Sequence, residues 1–482
     1  MKKVAFVSAM ILVAMLAFGC TPRKEEHPKE PSLPRPTYRI EAELFAAEHV
    51  LSVTTDVEYA CPTALSEIKF NLFPNAYKDE RAVVTQDKIQ AAYPNGKIGF
   101  GGAEILSVEC DRPIADSTLT QDDLVLSVHL AEPAKRGTVL HFTIAQKVSL
   151  ANVKHRLGYY DDYYFLSNFY PSVCPFSEGS FLTYDYTPYG DPFRLETADF
   201  TMSLKVPLGY ECACSAREFR RERQGTVERY EYTAEATREI AVVTSPKIRC
   251  NKKEADGITL LYYASNSSDK DKMLSLMEDA IAFFKEAFGA YPYPTYSVVV
   301  APFFEAGVEH AGLAVVSKDL SVYQKPKVVL HETAHQWWFG KVGNDEVRAP
   351  WLDEGLSEYS VAAYYTARGY DTIAREMIQN AEDCFSVRLA VKGAENTRFD
   401  LPLQNLSDGY YDRVYCGGLL LFFNLSQIVG ADRFHSALKA FAEAYDGAVA
   451  TPDDLTRSLS ASLGKDLSPF FHRYLSASVP FQ

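Results

Sequence analysis

From residue 38 to about residue 250, apolar and polar positions alternate with a period of two, as in segments 39–44, 68–72 and 124–130. That period sends successive side chains to opposite faces of a strand, one against a core and one into water. Turn-forming clusters separate the runs, among them Tyr93-Pro94-Asn95-Gly96 and Tyr189-Gly190-Asp191-Pro192. Long helical periodicity is missing here, so the pattern predicts an antiparallel β domain over residues 38–250, a curved sheet or a sandwich. The aromatic run 159–165 either frames the mouth of a cleft or supplies ordinary sheet aromatics around a surface turn.

Past Cys250 the pattern changes. Residues 258–263 read as a strand, 269–288 as an amphipathic helix stopped by Gly289, and 296–302 as a short apolar strand. From Pro326 onward the periodicity is helical. It predicts a helix ending at Gly340 and a second one starting near Pro350 and running to Arg368-Gly369. Further helices are expected from Asp371, over 417–429 and over 431–445, and another is opened by Thr451-Pro452-Asp453-Asp454. That last start combines an N-cap threonine, a first-turn proline and acids at the positive end of the helix dipole. The fold class is therefore α+β multidomain, with the β part first and the mostly helical part, residues 251–482, second. There is no internal repeat.

The first helix of the second part carries His331 and His335 four residues apart, with Glu332 between them in sequence. On a helix this spacing stacks two imidazoles on one face, where both nitrogens can reach one Zn²⁺. Glu332 can lean over the open side of such an ion as a general base. Glu354 follows His335 after 18 intervening residues, on the next helix. It completes a His₂Glu set that leaves one position free, the arrangement of catalytic rather than structural zinc. Glu358, one turn further along, is placed to hydrogen-bond a ligand histidine. The predicted cofactor is one Zn²⁺ held by His331, His335 and Glu354.

HETAH followed by the Glu of WLDEG resembles the zinc signature of the aminopeptidase-N-like gluzincins. Two further segments carry the same resemblance. Ala306-Gly307-Val308-Glu309-His310-Ala311-Gly312-Leu313 is similar to that family's G-x-M-E-N loop, and Val414-Tyr415-Cys416-Gly417-Gly418 to its V-Y-x-K-G segment. The resemblance implies that Glu309 binds the α-amino group of a peptide, with Gly307, Val308 and His310 beside the substrate. It also implies that Tyr415 stabilises the oxyanion. Val308, His310 and Gly417 depart from the family's Met, Asn and Lys. Leu72-Phe73-Pro74-Asn75-Ala76, Phe169-Tyr170-Pro171 and the segment 190–207 resemble the family's N-terminal β-saddle. The implied architecture is a β-saddle domain followed by a thermolysin-like catalytic domain. The family's large fourth helical domain is not expected beyond residue 482, and the resemblance then implies a more open cleft.

The implied activity is zinc-dependent peptide hydrolysis, foremost removal of N-terminal residues. An oligo- or endopeptidase without a strict N-terminal requirement, and a peptide-binding lipoprotein with a dead site, stay open as alternatives. Epoxide hydrolysis, as in the leukotriene-acting branch, is a remote one.

Composition refines this picture in three ways. A net charge of −14 argues against nucleic acid or an anionic membrane surface as the main partner, leaving peptides as the expected one. Lys2 and Lys3, the apolar run 4–18 and Gly19-Cys20 read as a secretory signal too short to span a bilayer. Residues 17–20 resemble a bacterial lipobox, so Cys20 is the expected lipid anchor of an exported, membrane-attached lipoprotein, and the Pro-, Lys- and Glu-rich segment 21–37 a flexible tether. Of nine cysteines, eight remain once Cys20 is set aside, an even count that permits disulfides without saying which.

Overall fold

The alternating segments pair into sheets in the computed structural model, which describes residues 33–475. The signal segment, Cys20 and the tether as far as residue 32 lie outside the described residues. The largest sheet has seven strands in the order Arg217–Gln224, Val227–Thr237, Ala198–Pro207, Thr37–Phe45, Val50–Ala60, Val139–Ser149 and Gly102–Cys110. Thr37–Phe45 shows the predicted alternation, with Tyr38, Ile40, Ala42 and Leu44 buried. The pairing is not wholly antiparallel: Thr37–Phe45 runs parallel to Ala198–Pro207, in the register Tyr38↔Phe200. A parallel neighbour needs a long crossover rather than a hairpin, and the intervening strands supply it. Two four-stranded sheets and a short hairpin complete the β region.

The aromatic run 159–165 is a hairpin, Leu157–Tyr160 against Tyr163–Leu166. Asp161 and Asp162 turn it at φ 49° and 63°, the left-handed pair that a two-residue hairpin loop requires. Tyr163, Tyr164 and Phe165 are buried in the sheet, so the run is sheet packing and not a cleft rim.

The second part begins with a mixed five-stranded sheet in the order Arg249–Ala255, Ile258–Ala264, Thr295–Ala301, Leu313–Ser317 and Gly307–His310. Thr295–Ala301 is buried at every residue, as a central strand with both faces covered must be. Helix Lys270–Phe288 covers the sheet and stops at Gly289, whose φ is 95°. The histidine-bearing helix is Gln324–Ala334, and the glutamate-bearing helix is Trp351–Ala367.

The histidine helix is shorter than its sequence pattern suggests. It ends at Ala334, not Gly340, and His335 is its C-cap. Beyond it the bonds run five residues back, from Gly340 N–H to His335 O, Lys341 N–H to Gln336 O and Val342 N–H to Trp337 O. Apolar residues continue at helical spacing because Trp337, Trp338 and Phe339 are all buried, so burial alone concealed the break. Pro350 is likewise the N-cap of the glutamate helix rather than its first residue. Asp371–Lys392, Gly417–Val429, Ala431–Ala444 and Pro452–Leu463 lie where the periodicity puts helices. Thr451 and Asp454 close a reciprocal capping box on the last of these. Cys61, Cys110, Cys174, Cys212, Cys214, Cys250, Cys384 and Cys416 are all free thiols.

His155 ties the β region to the segment that leads into the edge strand. Its Nδ1 lies 2.5 Å from the Tyr77 hydroxyl, and its ring stacks on Phe304 at 5.1 Å. Burial pushes its pKa well below the ordinary 6.5, with the charges of Arg156 and Lys88 acting in the same direction. The unfolded chain therefore binds a proton that the folded chain refuses, and stability falls as pH drops below 6.5. The loss is roughly 1.4 kcal/mol per pH unit until the folded value is reached. His155→Gln removes this dependence: urea midpoints should show the variant less stable than wild type at pH 8, with the gap narrowing at pH 5.

Candidate metal centre

Three buried side chains on two helices converge. His335 Nε2 lies 3.0 Å from His331 Nε2 and 3.3 Å from Glu354 Oε2, and His331 Nε2 lies 3.1 Å from the same oxygen. The other nitrogens have neighbours that fix the tautomers. His335 Nδ1 is 2.9 Å from the Trp338 carbonyl, so it carries the proton. His331 Nδ1 is 3.1 Å from Glu358 Oε1, an ion-pair contact rather than a well-aligned hydrogen bond. The proton belongs there too, facing a carboxylate that Lys327 also holds, at 3.2 Å. Two imidazole lone pairs and a carboxylate oxygen then point at one another inside the protein. That arrangement repels itself unless a cation sits among them, and nitrogen and oxygen donors 3.0–3.3 Å apart suit bonds of about 2.0–2.2 Å. The residues fit a zinc ion.

The electrostatics of the protein alone point the same way. Burial lowers the His331 pKa, but the carboxylates of Glu354 and Glu358 outweigh it and raise it to about 9. His335 is raised as well, against the effect of burial, by Glu309 and Glu354. Burial would raise Glu354, yet the two imidazoles hold it well below the usual carboxylate range. Glu332 is pushed by burial to about 7, with the imidazoles opposing the rise. One of its oxygens has no hydrogen-bond partner. The other lies against Gly307, where any side chain would collide with it.

Glu309 stands on Gly307–His310, which is itself the edge strand of the five-stranded sheet rather than a loop beside it. Ligand atoms of Glu309, His335 and Asp353 lie within 4.8 Å of one another, so Glu309 adjoins the metal ligands. That triplet shares His335 with the first and is not an independent site. Val308 is buried, and His310 turns its Nδ1 to Glu239 at 2.8 Å. Tyr415 lies in a π-helical turn, Tyr411–Cys416, and its hydroxyl donates to Glu354 Oε1. Gly417, just past this turn, is tightly packed: a Cβ there would stand 3.0 Å from the Phe399 ring, which would have to shift to admit a side chain.

Several groups at the site had no local signature. Asp191, from the β region, accepts from Arg156 Nη1 at 2.6 Å. With Glu239, Glu309 and Glu346 these two line one small pocket. Asp353 accepts from Asn344 at 3.0 Å and is raised to about 7 by burial and by the adjacent Glu354. Asp353 lay in the WLDEG segment and was open to notice. The others come from distant parts of the chain.

Residues 273–474 match the family description "Peptidase family M1 domain". This segment is a peptidase family M1 domain. The match bears out the resemblance of the motifs to the aminopeptidase-N-like gluzincins. Among relatives, the chain is 26% identical over 241 residues to aminopeptidase N of Lactobacillus helveticus, covering 46% of this chain and 28% of that one. It is 26% identical over 231 residues to aminopeptidase N of Streptomyces lividans, covering 44% and 26%. The match thus spans about a quarter of the relatives' length. The fold is similar throughout to an M1 zinc metallopeptidase of Deinococcus radiodurans, with a TM-score of 0.64 at 16% identity, covering 93% of this chain and 96% of that one. The β-then-helical architecture is shared with that structure.

Atomic emission on dialysed protein should find one zinc per chain in the wild type and none in Glu354→Ala. Glu358→Gln should keep the site but weaken it about 10- to 100-fold, as loss of a histidine's hydrogen-bonding partner does.

Proposed function

We propose that the chain is a zinc-dependent aminopeptidase, which removes N-terminal residues from peptides. The observation that carries this reading is Glu309, a buried carboxylate on the edge strand of the five-stranded sheet, within 4.8 Å of His335. A peptide can extend the sheet by pairing with Gly307–His310. Glu309 then binds its α-ammonium and fixes which bond lies over the zinc site.

Zinc, when bound to His331, His335 and Glu354, supplies Lewis-acid polarisation of the scissile carbonyl and acidifies water. Glu332 takes the proton from the attacking water and delivers it to the leaving amine. The Tyr415 hydroxyl, protonated at any physiological pH because burial and Glu354 raise its pKa, donates to the developing oxyanion. Gly307 leaves the space in which the Glu332 carboxylate lies.

Kinetics on aminoacyl reporters and their N-acetylated counterparts test the reading. Glu332→Gln should lower kcat about 10²- to 10⁴-fold with zinc retained. Glu309→Ala should cost about 10- to 100-fold in kcat/KM on free-amine substrates and leave acetylated ones unaffected. Equal cleavage of both substrates by the wild type would instead make it an endopeptidase.

We further propose export as a lipoprotein anchored through Cys20. What supports this is the sequence of residues 1–20: a basic start, a short apolar run and Ala17-Phe18-Gly19-Cys20. Among the described residues no single helix is long and apolar enough to cross a membrane. Cys20→Ser should abolish incorporation of labelled palmitate and move the protein out of the membrane fraction.

A further inference from the structure

The chain from His335 to Gly343 ends the histidine helix without a regular cap, and its shape is held from the β region. Arg238 follows directly on strand Val227–Thr237 and is buried. Its guanidinium donates to four backbone carbonyls: Phe339, Leu195 at 2.9 Å, Ala448 at 2.7 Å and Lys341 at 3.3 Å. Gly343 packs so closely on this guanidinium that a methyl group there would run into it. A fork of five donors on a rigid plane can serve carbonyls in several directions, as an ammonium cannot.

Phe339, one of those acceptors, has φ 137°. A bulky residue adopts positive φ at a cost, and only where its surroundings over-determine it. That torsion sets the direction of the Trp338 carbonyl relative to the Phe339 carbonyl. The first accepts the Nδ1 proton of His335, and the second accepts from Arg238. The chain of contacts therefore runs from Arg238 to the strained peptide, to the Trp338 carbonyl, and to the ring of a metal ligand.

We propose that Arg238 is a positioning residue for His335: it clamps the strained Phe339 backbone and thereby aims His335 Nε2 at the zinc site. The inference rests on the metal reading above. It assigns the β region a part in metal binding through hydrogen bonds to the backbone alone.

The test measures zinc affinity by chelator competition and the visible spectrum of the cobalt-substituted protein, with circular dichroism as the check on folding. Arg238→Lys keeps the charge and loses the fork. It should raise the zinc dissociation constant about 10- to 100-fold and alter the cobalt bands in a folded protein. Adding Phe339→Gly, which accepts φ 137° without strain, should recover most of the lost affinity. Should Arg238→Lys not fold, Gly343→Ala displaces the guanidinium while leaving it in the chain, with the same expected loss and the same rescue. Zinc binding within twofold of wild type in the folded variant, or a loss that Phe339→Gly leaves intact, overturns the proposal. A wild type that binds no zinc would instead remove the metal reading itself.

Discussion

Three electron pairs brought to within 3.3 Å of one another in a buried site define this molecule. No sequence of this composition would bury two imidazoles and a carboxylate in that way for stability, because an unneutralised cluster costs several kcal/mol. The cluster is surrounded by further acids, Glu309, Glu332, Glu346 and Asp353, all raised by burial above the ordinary carboxylate range. A divalent ion answers that excess of negative charge, and much of the fold can be understood as the frame that keeps the donors from relaxing apart. The glutamate helix and Gly417–Val429 cross where both present glycine, so closely that a Cβ on Gly355 would stand 2.8 Å from the Gly418 Cα. Glu354 and Tyr415 flank that crossing, and their separation is set by backbone against backbone.

The donor cluster was legible in the sequence because His331 and Glu354 lie on helices and His335 caps one, so that spacing along the chain translates into a face. His331, His335 and Glu354 needed no knowledge of the remaining chain. Strands were legible for the same local reason, as the alternation in Thr37–Phe45 illustrates. What stayed hidden depends on contacts between distant segments. The end of the histidine helix was misplaced because Trp337, Trp338 and Phe339 are apolar whether helical or not, and the left-handed turn at Phe339 has no residue that announces it. Asp191, Arg156 and Arg238 sit in sequences indistinguishable from ordinary strand ends and turns. His310 carries a contact that its motif did not announce: its Nδ1 pairs with Glu239 from the β region.

The parallel pair at the middle of the seven-stranded sheet has a consequence for how the chain assembles. Thr37–Phe45 is a central strand, yet one of its two neighbours, Ala198–Pro207, is made more than 150 residues later. During synthesis at about 5–20 residues per second, the earlier strand can pair with Val50–Ala60 almost at once. Its other side stays open for roughly ten seconds or more at that pace. An open, alternating edge is a template for wrong partners. The nascent protein therefore passes through a stage in which a half-built sheet must be shielded until the missing strand emerges.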